Sequence, residues 1–164
     1  AQILEIEKKY KDLHLILAHV GRAYCNEDVA DSLEILSKTE RLVFDLSANT
    51  NAWVFARTIE ALGPKRLLFG SDLGITRMRM RRICEDGIYI NVVPKGLYGD
   101  VSADKNMRET EGADADSLTF FLYEEIKSIL GAADETGLSD SDLEDIFYNN
   151  ARAFIEASGY TFTG

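Results

Sequence analysis

The sequence predicts an α/β chain built on a parallel sheet, on three observations. Three apolar runs share one design: Leu13-His14-Leu15-Ile16-Leu17-Ala18-His19, Arg41-Leu42-Val43-Phe44-Asp45-Leu46-Ser47 and Leu67-Leu68-Phe69-Gly70-Ser71-Asp72 each close on a polar residue. Buried parallel strands read this way, and the residue at a strand's carboxyl end faces the ligand crevice. Segments of helical spacing separate the runs, and a strand, helix, strand, helix, strand order implies parallel strands with right-handed connections. The chain has 164 residues, 46% of them hydrophobic, which suits one domain over residues 1–164 with a real core.

Taken in order, residues 1–11 place Ile3, Ile6 and Tyr10 at helical spacing. The chain therefore opens inside an amphipathic helix with no initiator Met, as a cut through a longer architecture would. The first strand, residues 13–19, leads through a turn at Gly21 to a helix over about 28–38 that buries Val29, Leu33 and Leu36. After the second strand, the polar run 47–51 starts a helix with Ala52, Trp53, Ala56 and Ile59 inward, which Gly63-Pro64 stops. The third strand ends at Asp72. Beyond it lie Arg77, Arg79, Arg81 and Arg82, then a short apolar run, Ile88 to Val93, and a polar surface excursion over about 95–115.

Two helices complete the chain. One carries the stripe Leu118, Leu122, Ile126, Ile129 and Leu130, with Gly131 and Gly137 bracketing its end. Ser139-Asp140-Ser141-Asp142 then reads as a capping box, with Ser139 as N-cap and Asp142 returning to its amide. The last stripe is Leu143, Ile146, Phe147, Ala151, Phe154 and Ile155, and Gly159 terminates it. Phe120, Phe121 and Tyr123 fall at packing positions, and His14 alternates with the apolar positions of its strand as a structural residue.

The formal net charge is −10, and it is concentrated: 14 acidic residues stand against three basic ones between Asp100 and Asp145, which leaves the rest near neutral. This is a solvated helical face rather than a binding feature. Nucleic-acid binding is disfavoured, because the only basic feature is one short Arg cluster. No apolar run reaches membrane-spanning length, so no membrane partner is expected and the location expected is cytoplasmic. Cys25 and Cys84 lack C-x-x-C spacing and read as ordinary thiols.

His19 and Asp72 both fall at carboxyl ends of strands, and imidazole and carboxylate are the usual ligands of a zinc-type ion. A histidine after an apolar strand is more often a buried hydrogen-bonded residue, and a strand-end Asp often caps the next helix. The set Ala18-His19-Val20-Gly21-Arg22, Phe44-Asp45-Leu46-Ser47, Leu68-Phe69-Gly70-Ser71-Asp72 and Asn150-Ala151-Arg152 resembles the closing portion of the amidohydrolase superfamily. Within it, the likeness is to the amidohydrolase-related branch that includes aminocarboxymuconate-semialdehyde-decarboxylase-like enzymes. The resemblance runs from about Leu13 to Ile155, apart from the excursion after Arg82. It implies the C-terminal portion of a (β/α)8 TIM-type barrel, about strands six to eight, plus C-terminal helices.

The resemblance also implies a chemistry. Asp72 matches the last-strand aspartate, a metal ligand that also handles the proton of the attacking water. His19 matches the sixth-strand histidine, which ligates the metal in some members and in others serves as acid, base or polarising group. The cofactor implied is a divalent metal ion, zinc by preference, in a hydrolase or decarboxylase acting on a small-molecule substrate. The family's H-x-H pair is absent here, and Gly74 stands where many relatives carry proline.

Arg22 follows the His19 turn and suits a substrate carboxylate, although a surface ion pair would serve it equally. The Arg77 to Arg82 group adds either a positive field for an acidic substrate or a solvated face. Asp45 and Ser71 stand beside the site. With at most two ligands, the chain alone is expected to be inactive and to self-associate through open strand edges. The rival readings are a non-catalytic truncated α/β binding or assembly module, and a doubly wound domain with Asp45 and Asp72 at a switch point. The second lacks any Gly-rich phosphate loop.

Overall fold

The structure, a computed structural model, describes residues 2–162. Three parallel strands, β1 (Ile16–Leu17), β2 (Val43–Asp45) and β3 (Leu67–Leu68), form one sheet in the order β1-β2-β3, with Leu17 opposite Phe44 and Phe44 opposite Leu67. The parallel α/β core is therefore the one the apolar runs predict. The ladder extends a little past the strands, through Val43 N–H to the Leu15 carbonyl at 3.1 Å and Leu46 N–H to the Leu68 carbonyl at 3.0 Å.

β1 is shorter than the expected 13–19 at both ends, and at its carboxyl end the left-handed backbone of His19, Val20 and Gly21 (φ 56°, 49° and 67°) turns the chain out of the sheet. For Val20, β-branched and buried, that conformation is costly and must be held by its surroundings.

Helix α1 (Gln2–Lys9) precedes β1, and Glu7 fixes it to the sheet. Its carboxylate accepts the backbone N–H groups of Glu40, Arg41 and Leu42 at 3.0, 2.7 and 3.0 Å. Burial pushes the Glu7 carboxyl up, but those three amides outweigh it and hold the group below the ordinary glutamate value. Helix α2 (Ser32–Leu36) is shorter than the expected 28–38, and a 3₁₀ turn, Asn26–Asp28, precedes it. Asn51 caps α3 (Ala52–Leu62) by accepting from Val54 N–H, and Gly63 (φ 74°) ends it.

The inward face of α3 is Val54, Phe55, Ala56, Thr58 and Ile59, whereas Trp53 is 41% exposed, so the expected stripe is corrected by a rotation. Both stripes fit the helical period and share Ala56 and Ile59. Burial of Phe55 selects one, and Arg57 lies over the outward indole.

Helix α5 (Phe121–Thr136) packs on α3 and ends at Gly137 in a left-handed cap. Its buried residues are Phe121, Glu125, Ile129, Ala132 and Ala133, while Leu130 is 43%, Tyr123 60% and Phe120 48% exposed. The expected stripe is thus displaced around the helix, and the assignment of Phe120 and Tyr123 to packing is corrected. The predicted capping box opens α6 (Asp140–Glu144), with Ser139 Oγ accepting from Asp142 N–H at 3.2 Å and Asp142 accepting from Ser139 N–H at 3.0 Å.

A π-turn, Asp145–Asn149, joins α6 to α7 (Asn150–Ala157). The wide turn frees the Ile146 carbonyl, which accepts Phe69 N–H at 2.8 Å. Asn150 adds two bonds from its side chain to the carbonyls of Pro64 and Leu67, both 2.9 Å. The outer edge of β3 is therefore covered by the C-terminal helices. Beside β1, Leu13 and Ile16 are exposed (38% and 43%), and no further strand pairs with β1 among the described residues.

Residues after Asp72 build a second sheet: β4 (Arg81–Glu85) and β5 (Ile88–Pro94) are antiparallel, and β6 (Met107–Thr110) is parallel to β5. The Asp86-Gly87 turn, with φ of 51° and 73°, closes the hairpin as such dipeptides do. Helix α4 (Gly112–Ser117) follows. The excursion over about 95–115 thus contains a strand and a helix. Met80, Val93, Phe121 and Ala48 form the core beneath this second sheet.

The two cysteines are not free thiols: Cys25 and Cys84 form a disulfide that joins the loop after β1 to β4. C-x-x-C spacing could not signal it, because the pairing arises only when the hairpin folds back over the first sheet.

Candidate active site

The carboxyl end of the first sheet carries the predicted residues. His19 follows β1, Asp45 ends β2, and Asp72 follows β3. Since β2 lies between β1 and β3, His19 and Asp72 follow the two outer strands of this sheet.

His19 is fixed by β2. Its Nδ1 lies 3.0 Å from the Ser47 carbonyl oxygen and 3.0 Å from Ser47 Oγ. A carbonyl can only accept, so Nδ1 carries the proton and, in the neutral ring, Nε2 keeps a free lone pair. That is the orientation and tautomer a ligating imidazole takes. Ser47 is itself placed by Asp45, whose Oδ1 accepts Ser47 N–H at 2.6 Å. Gly70 lets β3 approach: a Cβ there would stand 3.5 Å from Ser47 Cβ and 3.7 Å from Asp45 Oδ2.

Asp72 is exposed with a left-handed backbone (φ 44°), and its carbonyl accepts from Gly74 N–H and the Thr76 hydroxyl. Its carboxylate accepts no hydrogen bond among the described residues. Arg22 is also exposed, in the left-handed region (φ 67°), with its guanidinium 5.9 Å from the Tyr24 ring and no ion pair among the described residues.

The Arg77 to Arg82 group is not a solvated helix face. Arg79 donates to the carbonyls of Leu118 and Ala115, and Arg82 donates to Asn91 Oδ1 at 2.9 Å and to the Ala48 carbonyl at 2.5 Å. Arg82 also stacks on Tyr24, Phe121 and Tyr89, 4.2, 4.9 and 5.0 Å from the ring centres. Burial lowers its affinity for the proton, opposed by those phenols. Only Arg77 and Arg81 remain exposed.

Glu125 was not among the residues the sequence singled out. It is fully buried, its Oε2 accepts Ala48 N–H at 2.9 Å, and its Oε1 has no partner among the described residues. Burial raises its carboxyl to about 8, against the pull of the Ala48 amide, and the charges of Asp45 and Asp72 add to the rise. One signal could have found it: Glu125 sits four residues from both Phe121 and Ile129, inside an apolar stripe.

Among the described residues no three of His, Cys, Asp or Glu gather as a metal site. The donor set is incomplete: two predicted ligands fall short of the three a catalytic zinc takes, so the described residues do not hold the ion unaided.

A family model described as amidohydrolase matches residues 3–156, and the chain belongs to that family. No curated relative and no solved structure matches it. Among the described residues no helix is long and apolar enough to cross a membrane.

Proposed function

We propose that this chain, a member of the amidohydrolase family, contributes the closing part of the active site of a metal-dependent hydrolase or decarboxylase of the aminocarboxymuconate-semialdehyde-decarboxylase-like branch. The three strands correspond to about the sixth to eighth of a (β/α)8 barrel. His19 and Asp72 supply two donors to a divalent ion, zinc by preference, and the remaining donors come from polypeptide outside these residues. Arg22, free at the rim, takes an anionic group of a small-molecule substrate through its planar fork.

The observation that supports this reading is the His19 ring. Its Nδ1–H is committed to the Ser47 carbonyl, which leaves Nε2 free to ligate. The non-catalytic module remains the second reading, favoured by the absence of a third ligand among the described residues.

Calorimetric titration with zinc tests the proposal. Weak, reversible binding is expected, reduced by His19→Ala and by Asp72→Ala alike. Binding indifferent to both substitutions would contradict it.

A further inference from the structure

We infer that Glu125 is a positioning residue for His19, acting through the single peptide group that joins Ser47 to Ala48. The carbonyl of that peptide receives His19 Nδ1–H at 3.0 Å, and its N–H donates to Glu125 Oε2 at 2.9 Å. A carboxyl group on one side of a planar peptide thus fixes the carbonyl on the other side, because the peptide cannot turn one without turning both.

The neighbouring groups show that this peptide is held on purpose. Ala48 has a left-handed backbone (φ 49°), a conformation an alanine keeps only when its surroundings enforce it. Its own carbonyl is gripped by Arg82, which is packed among three aromatic rings, from the loop after β1, the second sheet and α5. Ser47 N–H is taken by Asp45. Every backbone polar group of Ser47 and Ala48 therefore has an assigned partner, and the product of that arrangement is one carbonyl aimed at the imidazole. Glu125 is buried with an oxygen unpartnered, a cost that a merely structural position would shed by carrying an apolar residue.

The inference rests on the reading of His19 as the imidazole of the site, but its test does not use the metal. The chain has only two histidines, so long-range proton–nitrogen spectra of the imidazoles resolve His19 against His14 as an internal reference. In the unaltered chain His19 is expected as the Nδ1–H tautomer. Glu125→Leu removes the acceptor and is expected to lose that signature in favour of Nε2–H, with His14 unchanged. Glu125→Gln keeps an oxygen acceptor for Ala48 N–H and is expected to restore the Nδ1–H form.

Retention of the Nδ1–H form in a folded Glu125→Leu variant overturns the inference, as does its loss in Glu125→Gln. Should Glu125→Leu fail to fold, hydrogen exchange at the Ala48 amide of the unaltered chain decides: strong protection supports the bond to Glu125, and exchange at the rate of an open loop overturns it. A tautomer shift without zinc binding would remove the metal reading and leave this one standing. Zinc binding at His19 without the shift would do the reverse.

Discussion

A buried carboxyl with one oxygen unpartnered is the least expected residue of this chain, and it makes a sharp prediction about pH. The Glu125 carboxyl is raised by burial to about 8 in the folded protein, against an ordinary glutamate value near 4.3 in the unfolded chain. Between those values the unfolded chain has shed this proton while the folded chain keeps it, so the stability this group contributes falls as pH rises through that window. Glu125→Gln carries no proton to lose. Its melting temperature should decline less than that of the unaltered chain between about pH 5 and pH 8, on the same linkage argument. Parallel melting curves across that range would show that Glu125 is already ionised in the fold. At this scale the sequence was partly legible. His19 and Asp72 could be placed at strand ends because a short apolar run announces where it stops. Glu125 was missed because a glutamate on an amphipathic helix is assigned by default to the solvent face.

At the scale of elements, the three strands, the start of α3 after the polar run 47–51 and the Ser139 capping box could be read, since each is written in adjacent residues. The faces of α3 and α5 were misjudged by part of a turn, because two apolar stripes fit one helical period and only the packing of Phe55 and of Phe121 chooses between them. The Cys25–Cys84 link was illegible for a different reason. It joins residues 59 positions apart whose meeting depends on the β4–β5 hairpin folding over the loop that carries His19 and Arg22. Closing a loop of that length in the unfolded chain stabilises the fold by about 4 kcal/mol in the chain-entropy account. Reduction of the native protein should therefore lower the denaturant midpoint of unfolding without changing the course of the first sheet. An unchanged midpoint after complete reduction, verified by thiol counting, would mean that the second sheet is held without help from the disulfide.

At the scale of the whole molecule, the two edges of the first sheet differ. The outer edge of β3 takes its hydrogen bonds from the Ile146 carbonyl and from Asn150. On the other side Leu13, just before β1, and Ile16, within it, are exposed, and no further strand pairs with β1 among the described residues. The family match runs from residue 3 to residue 156, from α1 to α7. The central claim is that His19 and Asp72 act on one ion. Nuclear magnetic resonance of the chain titrated with zinc tests this most directly, reading the His19 Nε2 nitrogen and the Asp72 carboxyl carbon together. The account predicts that both resonances shift along one saturation curve while His14 stays still, and that Asp72→Ala weakens the response at His19. A shift at His14 instead, or a response at His19 that Asp72→Ala leaves untouched, would contradict it.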